Sequence, residues 1–295
     1  MKPAPSWLTR GALRTASAAD RPWQRSRGAR RRDAVLGVLL GTLIGTIAFA
    51  PASWLASAVQ QATGNRLLLA DARGSVWNGD AVLVLTGGAD SRDASVLPGR
   101  IGWRLRWLGN ALELRARHAC CLNGEPGLRL TLGLTRWHAA LLPPATEPTQ
   151  GMASIGQWPA SWLTGLGTPW NTLQLGGTLR LASEAAAVES TGGRLRLQGR
   201  AELELTGATS RLSTLPALGS YRLSADARSG EGGAQLTLAT LEGALQLSAT
   251  GAWTPASGLR LRGQARPAQG AEAALNNLLN IIGRRQGAMA TFAIG

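Results

Sequence analysis

The chain has 295 residues, a formal net charge of +14, two cysteines and two histidines. Its length allows one large domain or two small ones, and two adjacent cysteines exclude a fold built on a disulfide framework. Residues 1–33 hold nine basic and two acidic groups, so half of the positive excess sits in a leader and the rest is spread thinly. That distribution argues against nucleic acid as a partner and for a leader that sets topology and touches anionic lipid.

Residues 1–33 are rich in Arg, Ala, Ser and Pro without an apolar period, and read as a disordered cytoplasmic tail. Arg25, Arg27, Arg30, Arg31 and Arg32 then lead into residues 34–50, which carry no charge. Continued to Leu55, this run is about 33 Å of helix, enough for a hydrocarbon core of about 30 Å. Residues 34–55 are therefore expected to form one transmembrane helix. Arginines on its N-terminal flank keep that side in the cytoplasm, so the chain is expected in a bacterial inner membrane as a single-pass protein, with residues 56–295 in the periplasm. The competing reading is a cleaved signal peptide, with small-x-small sites at Ala48-Phe-Ala50 and Ala56-Ser-Ala58; Pro51 disfavours the first. Gly37, Gly41 and Gly45 recur every four residues and mark a candidate helix-contact face, although glycine is also common in membrane spans without such a role.

From residue 52 to 62 apolar positions keep helical spacing, and Gly64-Asn65 ends them. The period then changes to two. Residues 67–77 and 81–86 read as a hairpin turned at Asn78-Gly79, followed by strands at 100–107, 111–117 and 127–133 with apolar residues on one face and arginines on the other. A proline cluster at 141–148 and the stretch 158–170 suggest a subdivision near 143–170 and a short helix on the sheet. Strands resume at 173–181, 193–199, 201–206, 219–226, 234–239, 243–248 and 259–263, then a helix at 271–285 and an uncharged tail that closes as a strand or a helical cover. The fold class expected is mainly β, a curved antiparallel sheet bent by glycine bulges, with a few short helices.

No motif for catalysis is present in the sequence: no Gly-x-Ser-x-Gly, no Walker glycine loop, no His-Glu-x-x-His. Asp80, Asp90 and Asp93 are spaced as solvated turn acids rather than as a cation site. His118-Ala-Cys-Cys121 fits no standard zinc spacing and lacks a fourth ligand. Cys120 and Cys121 can pair with each other or with another chain. No catalytic residue, metal or cofactor is therefore expected. Of the eleven tryptophans, Trp77, Trp103 and Trp253 read as core anchors. Trp158, Trp162 and Trp170, clustered between the halves, are the candidate interface aromatics, with core packing as the competing role.

Several segments resemble the type II secretion system protein N family. They are Ala62-Thr-Gly-Asn-Arg-Leu-Leu-Leu-Ala-Asp-Ala-Arg-Gly-Ser-Val-Trp-Asn-Gly79, Leu97-Pro-Gly-Arg-Ile-Gly-Trp103, Gly167-Thr-Pro-Trp-Asn-Thr-Leu173, Arg211-Leu-Ser-Thr-Leu-Pro-Ala-Leu-Gly-Ser-Tyr221 and Leu275-Asn-Asn-Leu-Leu-Asn-Ile-Ile-Gly-Arg-Arg285. The resemblance implies a bitopic inner-membrane accessory protein with a periplasmic β-rich domain, acting in protein export through other secretion subunits and carrying no established catalytic residues. The arginine-rich leader and the cysteine pair fall outside that pattern. The alternative is a membrane-tethered lipid-handling protein whose curved sheet holds acyl chains, since the Gly-x-Leu-x-Leu strands also look like those of long β-gutter proteins. An exported hydrolase is the third reading.

Overall fold

The computed structural model describes residues 21–145, 151–228 and 232–295 and divides into two units, Met1–Ala50 and Pro51–Gly295. In the first unit a single helix, α1, runs Arg21–Ala48. Residues 21–33, expected to be disordered, are helical in it, as arginine and alanine are good helix formers; residues 1–20 of the expected tail lie outside the described residues. The expected span to Leu55 is interrupted. Pro51 has extended backbone, and a second helix, α2 (Ala52–Ala62), starts after it. The uncharged part of α1 is thus residues 34–48, about 22 Å of helix against a hydrocarbon core of about 30 Å. Among the described residues, no helix is long and apolar enough to cross a membrane.

In the second unit, the strands before the proline-rich stretch are β1 (Leu67–Gly74), β2 (Asn78–Thr86), β3 (Ala94–Val96), β4 (Ile101–Leu108), β5 (Ala111–His118), β6 (Gly127–Leu132) and β7 (Arg136–Leu142). After it come β8 (Ala153–Pro159), a 3₁₀ segment at Ala160–Leu166, α3 (Trp170–Leu173), β9 (Gly176–Thr191), β10 (Arg194–Thr209), β11 (Gly219–Asp226) and β12 (Ala234–Glu242). The chain ends with β13 (Leu245–Thr254), β14 (Gly258–Pro267), α4 (Glu272–Ile282), β15 (Arg284–Gln286) and β16 (Met289–Ile294).

All of these strands belong to one antiparallel sheet in the order β1-β2-β4-β5-β6-β7-β9-β10-β11-β12-β13-β14-β16-β15, with β3 on β2 and β8 on β9. The expected mainly-β meander is therefore present. It passes the proline-rich stretch without a break, because β7 pairs directly with β9 through Arg136↔Thr191 to Ala140↔Ala187. Two local readings change. The first hairpin turns at residues 75–77, not at Asn78-Gly79: Gly79 pairs with Gly74, and the Ser75 N–H donates to the Asn78 carbonyl at 2.9 Å. A side chain at Gly79 would meet the Trp103 ring at 2.6 Å, so that glycine serves ring packing. The strands expected at 193–199 and 201–206 are one strand, β10, with a register shift between Gln198 and Arg200.

Three apolar clusters fill the unit. The largest joins Tyr221, Leu218, Leu245 and Ala265 to Leu275, Leu278 and Leu279 of α4, whose apolar stripe is the one its 3.6-residue period predicts. A second joins Ala52 of α2 to Ala81 and Trp103, and a third gathers Leu83, Leu97 and Cys121. α4 therefore anchors the C-terminal half of the sheet. Leu278→Ala should lower the unfolding free energy of the full chain by about 2–5 kcal/mol, as buried leucine truncations do, whereas Ile281→Ala, on the exposed side of α4, should change it by less than about 0.5 kcal/mol. Urea titration of both variants checks this.

Candidate functional site

The glycine face lies on α1. Beyond each of Gly37, Gly41 and Gly45 there is open space with no heavy atom within 4 Å of a Cβ position. Around them Val35, Leu36, Val38, Leu39, Leu40, Leu43, Ile44 and Ile47 are all half or more exposed. These residues cover about two-thirds of the circumference and the three glycines the remaining third, so α1 is apolar all round rather than an amphipathic stripe.

The structure separates the three candidate tryptophans. Trp158 and Trp162 are half-buried against the Leu83, Leu97 and Cys121 cluster, and the Trp162 indole N–H donates to the Ser95 carbonyl at 3.2 Å. Trp170, on α3, instead lines a hollow on the sheet. Of the three expected core anchors, Trp103 is buried and donates its indole N–H to the Val76 carbonyl at 3.1 Å.

Cys120 and Cys121 are joined in a disulfide between neighbouring residues, at the tight connection after β5. Cys120 is exposed, Cys121 is 3% exposed, and the Cys121 carbonyl accepts the Gln157 N–H at 3.0 Å, which ties the connection to β8. His118 is buried, its Nδ1 3.3 Å from the Cys120 sulfur and its Nε2 without a partner among the described residues. Burial holds its pKa below the ordinary value. The His118 nitrogen and the two sulfurs lie within 4.8 Å of one another, but sulfurs bonded to each other have no thiolate to offer a metal. Among the turn acids, Asp80 is paired with Arg100, and Asp93 accepts from the Asn171 side chain at 3.0 Å.

Charge is laid out across strands. Glu113 of β5 bonds Arg115 at 2.8 Å and Arg129 of β6 at 2.7 Å, and those hydrogen bonds, Arg115 first, lower its pKa. Glu204 of β10 meets Arg222 of β11 at 2.6 Å. Asp226 is pulled down to about 2, chiefly by its hydrogen bond from the Arg228 side chain. On the other face of β10 and β11 the side chains are apolar. There Leu203, Leu205, Leu223, Leu238, Leu247 and Ile282 border a hollow of about 310 Å³ reaching under α4. A second hollow, about 270 Å³, is bordered by Leu197, Ala201, Ala225, Ala227 and Ala234. Sequence periodicity found the leucines but not the hollows, which depend on how far α4 reaches.

With this geometry in place, a comparison with known families is decisive: the sequence profile of the type II secretion system (T2SS) protein N family matches residues 65–291. The chain belongs to the type II secretion system protein N family. No curated protein and no solved structure matches it.

Two measurements follow from the connection after β5. A bond between adjacent residues closes no chain loop, so it removes almost no entropy from the unfolded state; reduction should shift the urea midpoint by less than a change equivalent to about 1 kcal/mol. Burial holds the folded His118 below the ordinary value of 6.5 at which it takes up a proton in the unfolded chain. The unfolded state therefore binds the extra proton, and stability falls as pH drops below about 6.5, by at most about 1.4 kcal/mol per pH unit. Urea midpoints between pH 7.5 and 5.5 should show that slope in the wild type and a flatter one in His118→Leu. The lowered carboxylates, Glu113 and Asp226, act only at more acid pH.

Proposed function

We propose that the chain is an inner-membrane accessory component of type II secretion that works by binding other secretion subunits rather than by catalysis. The match of residues 65–291 to the family carries this reading. Membrane association is supported by the apolar surface of α1, on which Val35, Leu36, Val38, Leu39, Leu40, Leu43 and Ile44 are each more than half exposed. An uncharged helix about 8 Å short of the hydrocarbon core calls for local thinning and for arginines that extend toward the interface. Arg31 and Arg32 precede that segment, separated from it by Asp33, and such a basic flank supports a cytoplasmic N-terminus with the β-unit in the periplasm.

The glycine face is the proposed contact with a partner's helix, since small residues let helix backbones approach closely where apolar burial drives nothing. Gly41→Leu should reduce co-purification of the other secretion subunits from solubilised membranes several-fold, while the chain itself stays in the alkaline-washed membrane pellet. Full recovery of every partner would remove the glycine face from this reading. Release of the wild-type chain into the wash would remove the anchor.

A second reading, a membrane-tethered lipid-handling protein, is favoured by one observation. The sheet leaves two apolar hollows uncovered on the face that α4 packs against.

A further inference from the structure

A group of exposed apolar side chains lies at one end of the sheet. Trp107 and Leu108 close β4 and are half or more exposed, Leu132 and Trp137 flank the turn after β6 and are exposed as well, and Leu134 within that turn is fully exposed. Pairing holds these positions level: Leu108 is opposite Ala111, Ala111 opposite Thr131, Thr131 opposite His138, and His138 opposite Glu189. The turns β4–β5, β6–β7 and β9–β10 therefore form one edge. Side chains alternate across a strand, so Trp107, Leu132 and Trp137 stand on the face that also holds Trp103, linked by the direct pairs Trp107↔Leu112, Leu112↔Leu130 and Leu132↔Trp137.

The other face of the same edge is basic. Arg106, Arg136 and Arg194 are exposed there, one at each turn. Glu113, the residue opposite Arg106, is already bonded to Arg115 and Arg129, and Arg136 and Arg194 both pair with Thr191 rather than with an acid. Glu189 lies two residues further into β9 and accepts from Thr191 and Gln198. Tryptophan and leucine on one side with arginine on the other suit a membrane–water interface, where aromatic rings sit at the headgroup level and cations meet anionic phosphates.

The occupant follows from where the chain enters the unit. Residue 51 comes shortly after the end of α1, and Pro51 is bridged to Ser75 at the first hairpin turn. Asn78, which closes that turn, pairs with Arg104. From there β4 runs on four residues to Leu108, about 13 Å at roughly 3.3 Å per residue. The edge thus lies at the end of the sheet that receives the chain from the apolar helix, and it projects past the point of entry. Trp54, in the first turn of α2, is half exposed near the same end, where Ala52 and Leu55 pack with Trp103.

We propose that this edge docks on the surface of an anionic bilayer, with Trp107, Leu134 and Trp137 in the interfacial layer and Arg106, Arg136 and Arg194 against lipid phosphates. The proposal rests on the membrane-anchored reading of α1 and adds a second contact, made by the β-unit itself.

The test uses the full chain in nanodiscs of phosphatidylethanolamine and phosphatidylglycerol. Cys120 and Cys121 are bonded to each other, so a fluorophore can be attached through one introduced thiol. Thr135→Cys places it in the exposed turn, Val96→Cys on β3 at the opposite end of the sheet, and Leu40→Cys on α1. Lipids carrying a nitroxide near the headgroup should quench the label at residue 135 about threefold or more over the label at residue 96, since interfacial groups sink about 5–10 Å below the surface. Leu134→Glu, at a fully exposed position, should bring quenching at residue 135 down to the level at residue 96, and Leu134→Met should keep it. Combining Arg106→Gln, Arg136→Gln and Arg194→Gln, or using discs of phosphatidylcholine alone, should cut it about threefold or more, as each cation near an anionic surface contributes about fivefold to binding. Thermal midpoints of each variant show whether a loss comes from unfolding. Equal quenching at residues 135 and 96, with strong quenching at residue 40, overturns the docking and leaves the anchor standing. No quenching at any of the three overturns both. A label at residue 135 that is blue-shifted but out of reach of the nitroxide means that protein, such as a second copy, covers the edge, and this overturns the docking. So does quenching that Leu134→Glu leaves unchanged.

Discussion

Two sixteen-residue strands, β9 and β10, are the constraint on which the sheet depends. They pair with each other over nearly their whole length, from Arg194↔Thr191 to Thr209↔Gly176. On one side β9 then takes β7 and β8 at opposite ends of the same edge, and on the other side β10 carries β11 and everything after it. A pair this long could not stay flat, because strand twist accumulates along its length. It is relieved at a bulge where Gly199 (φ +85°) lies against the Ala185 carbonyl, at a position where a Cβ would come within 2.3 Å of that oxygen. No residue but glycine fits there without moving the backbone of both strands.

The same pair decides where charge and apolar surface go. Alternation along β10 sends Glu204 to one face, where Arg222 meets it, and Leu203 and Leu205 to the other. Leu197, Ala201 and Leu203 stand at even separations and border the same apolar face, while the extra residue of the bulge lies on β9, where three steps from Glu184 to Ala187 match two from Gln198 to Arg200. That extra residue shifts the alternation of β9, so that Leu181 and Val188, seven positions apart, both pair with leucines of β10. The bulge thus bends the pair and keeps apolar residues of β9 opposite those of β10.

The strands were legible in the sequence because leucine and arginine alternate in them with period two, as in Arg194-Leu-Arg-Leu197 and Leu259-Arg-Leu-Arg262. What was hidden depended on non-local contacts. Asn78-Gly79 has the composition of a hairpin turn, yet Gly79 is taken up by the Trp103 ring, and the turn moves three residues back. β7 carries Trp137 and His138 followed by alanines and leucines and has no clean alternation; its pairing with β6 and β9 makes it a strand. Trp158, Trp162 and Trp170 are clustered in sequence, but β8 and the turn before α3 send the first two into one packed cluster and the third to a hollow. Pro51 ends the helix of the uncharged run: without an N–H it gives no hydrogen bond to the preceding turn, which its ring also crowds.

A sheet and the helix that covers it must match in length if the apolar face is to be filled, and here they do not. α4 has eleven residues, about 16 Å of helix, while β9 and β10 have sixteen each, about 53 Å of strand. One short helix cannot close such a face. Its leucines bury the end nearest Tyr221 and Leu245, and beyond them the face narrows to alanine at positions 201, 225, 227 and 234, where small side chains leave space instead of filling it. Protein interiors are ordinarily packed to the density of organic crystals; a row of leucines ending in a row of alanines, with no helix over the alanines among the described residues, leaves this part of the face below that density.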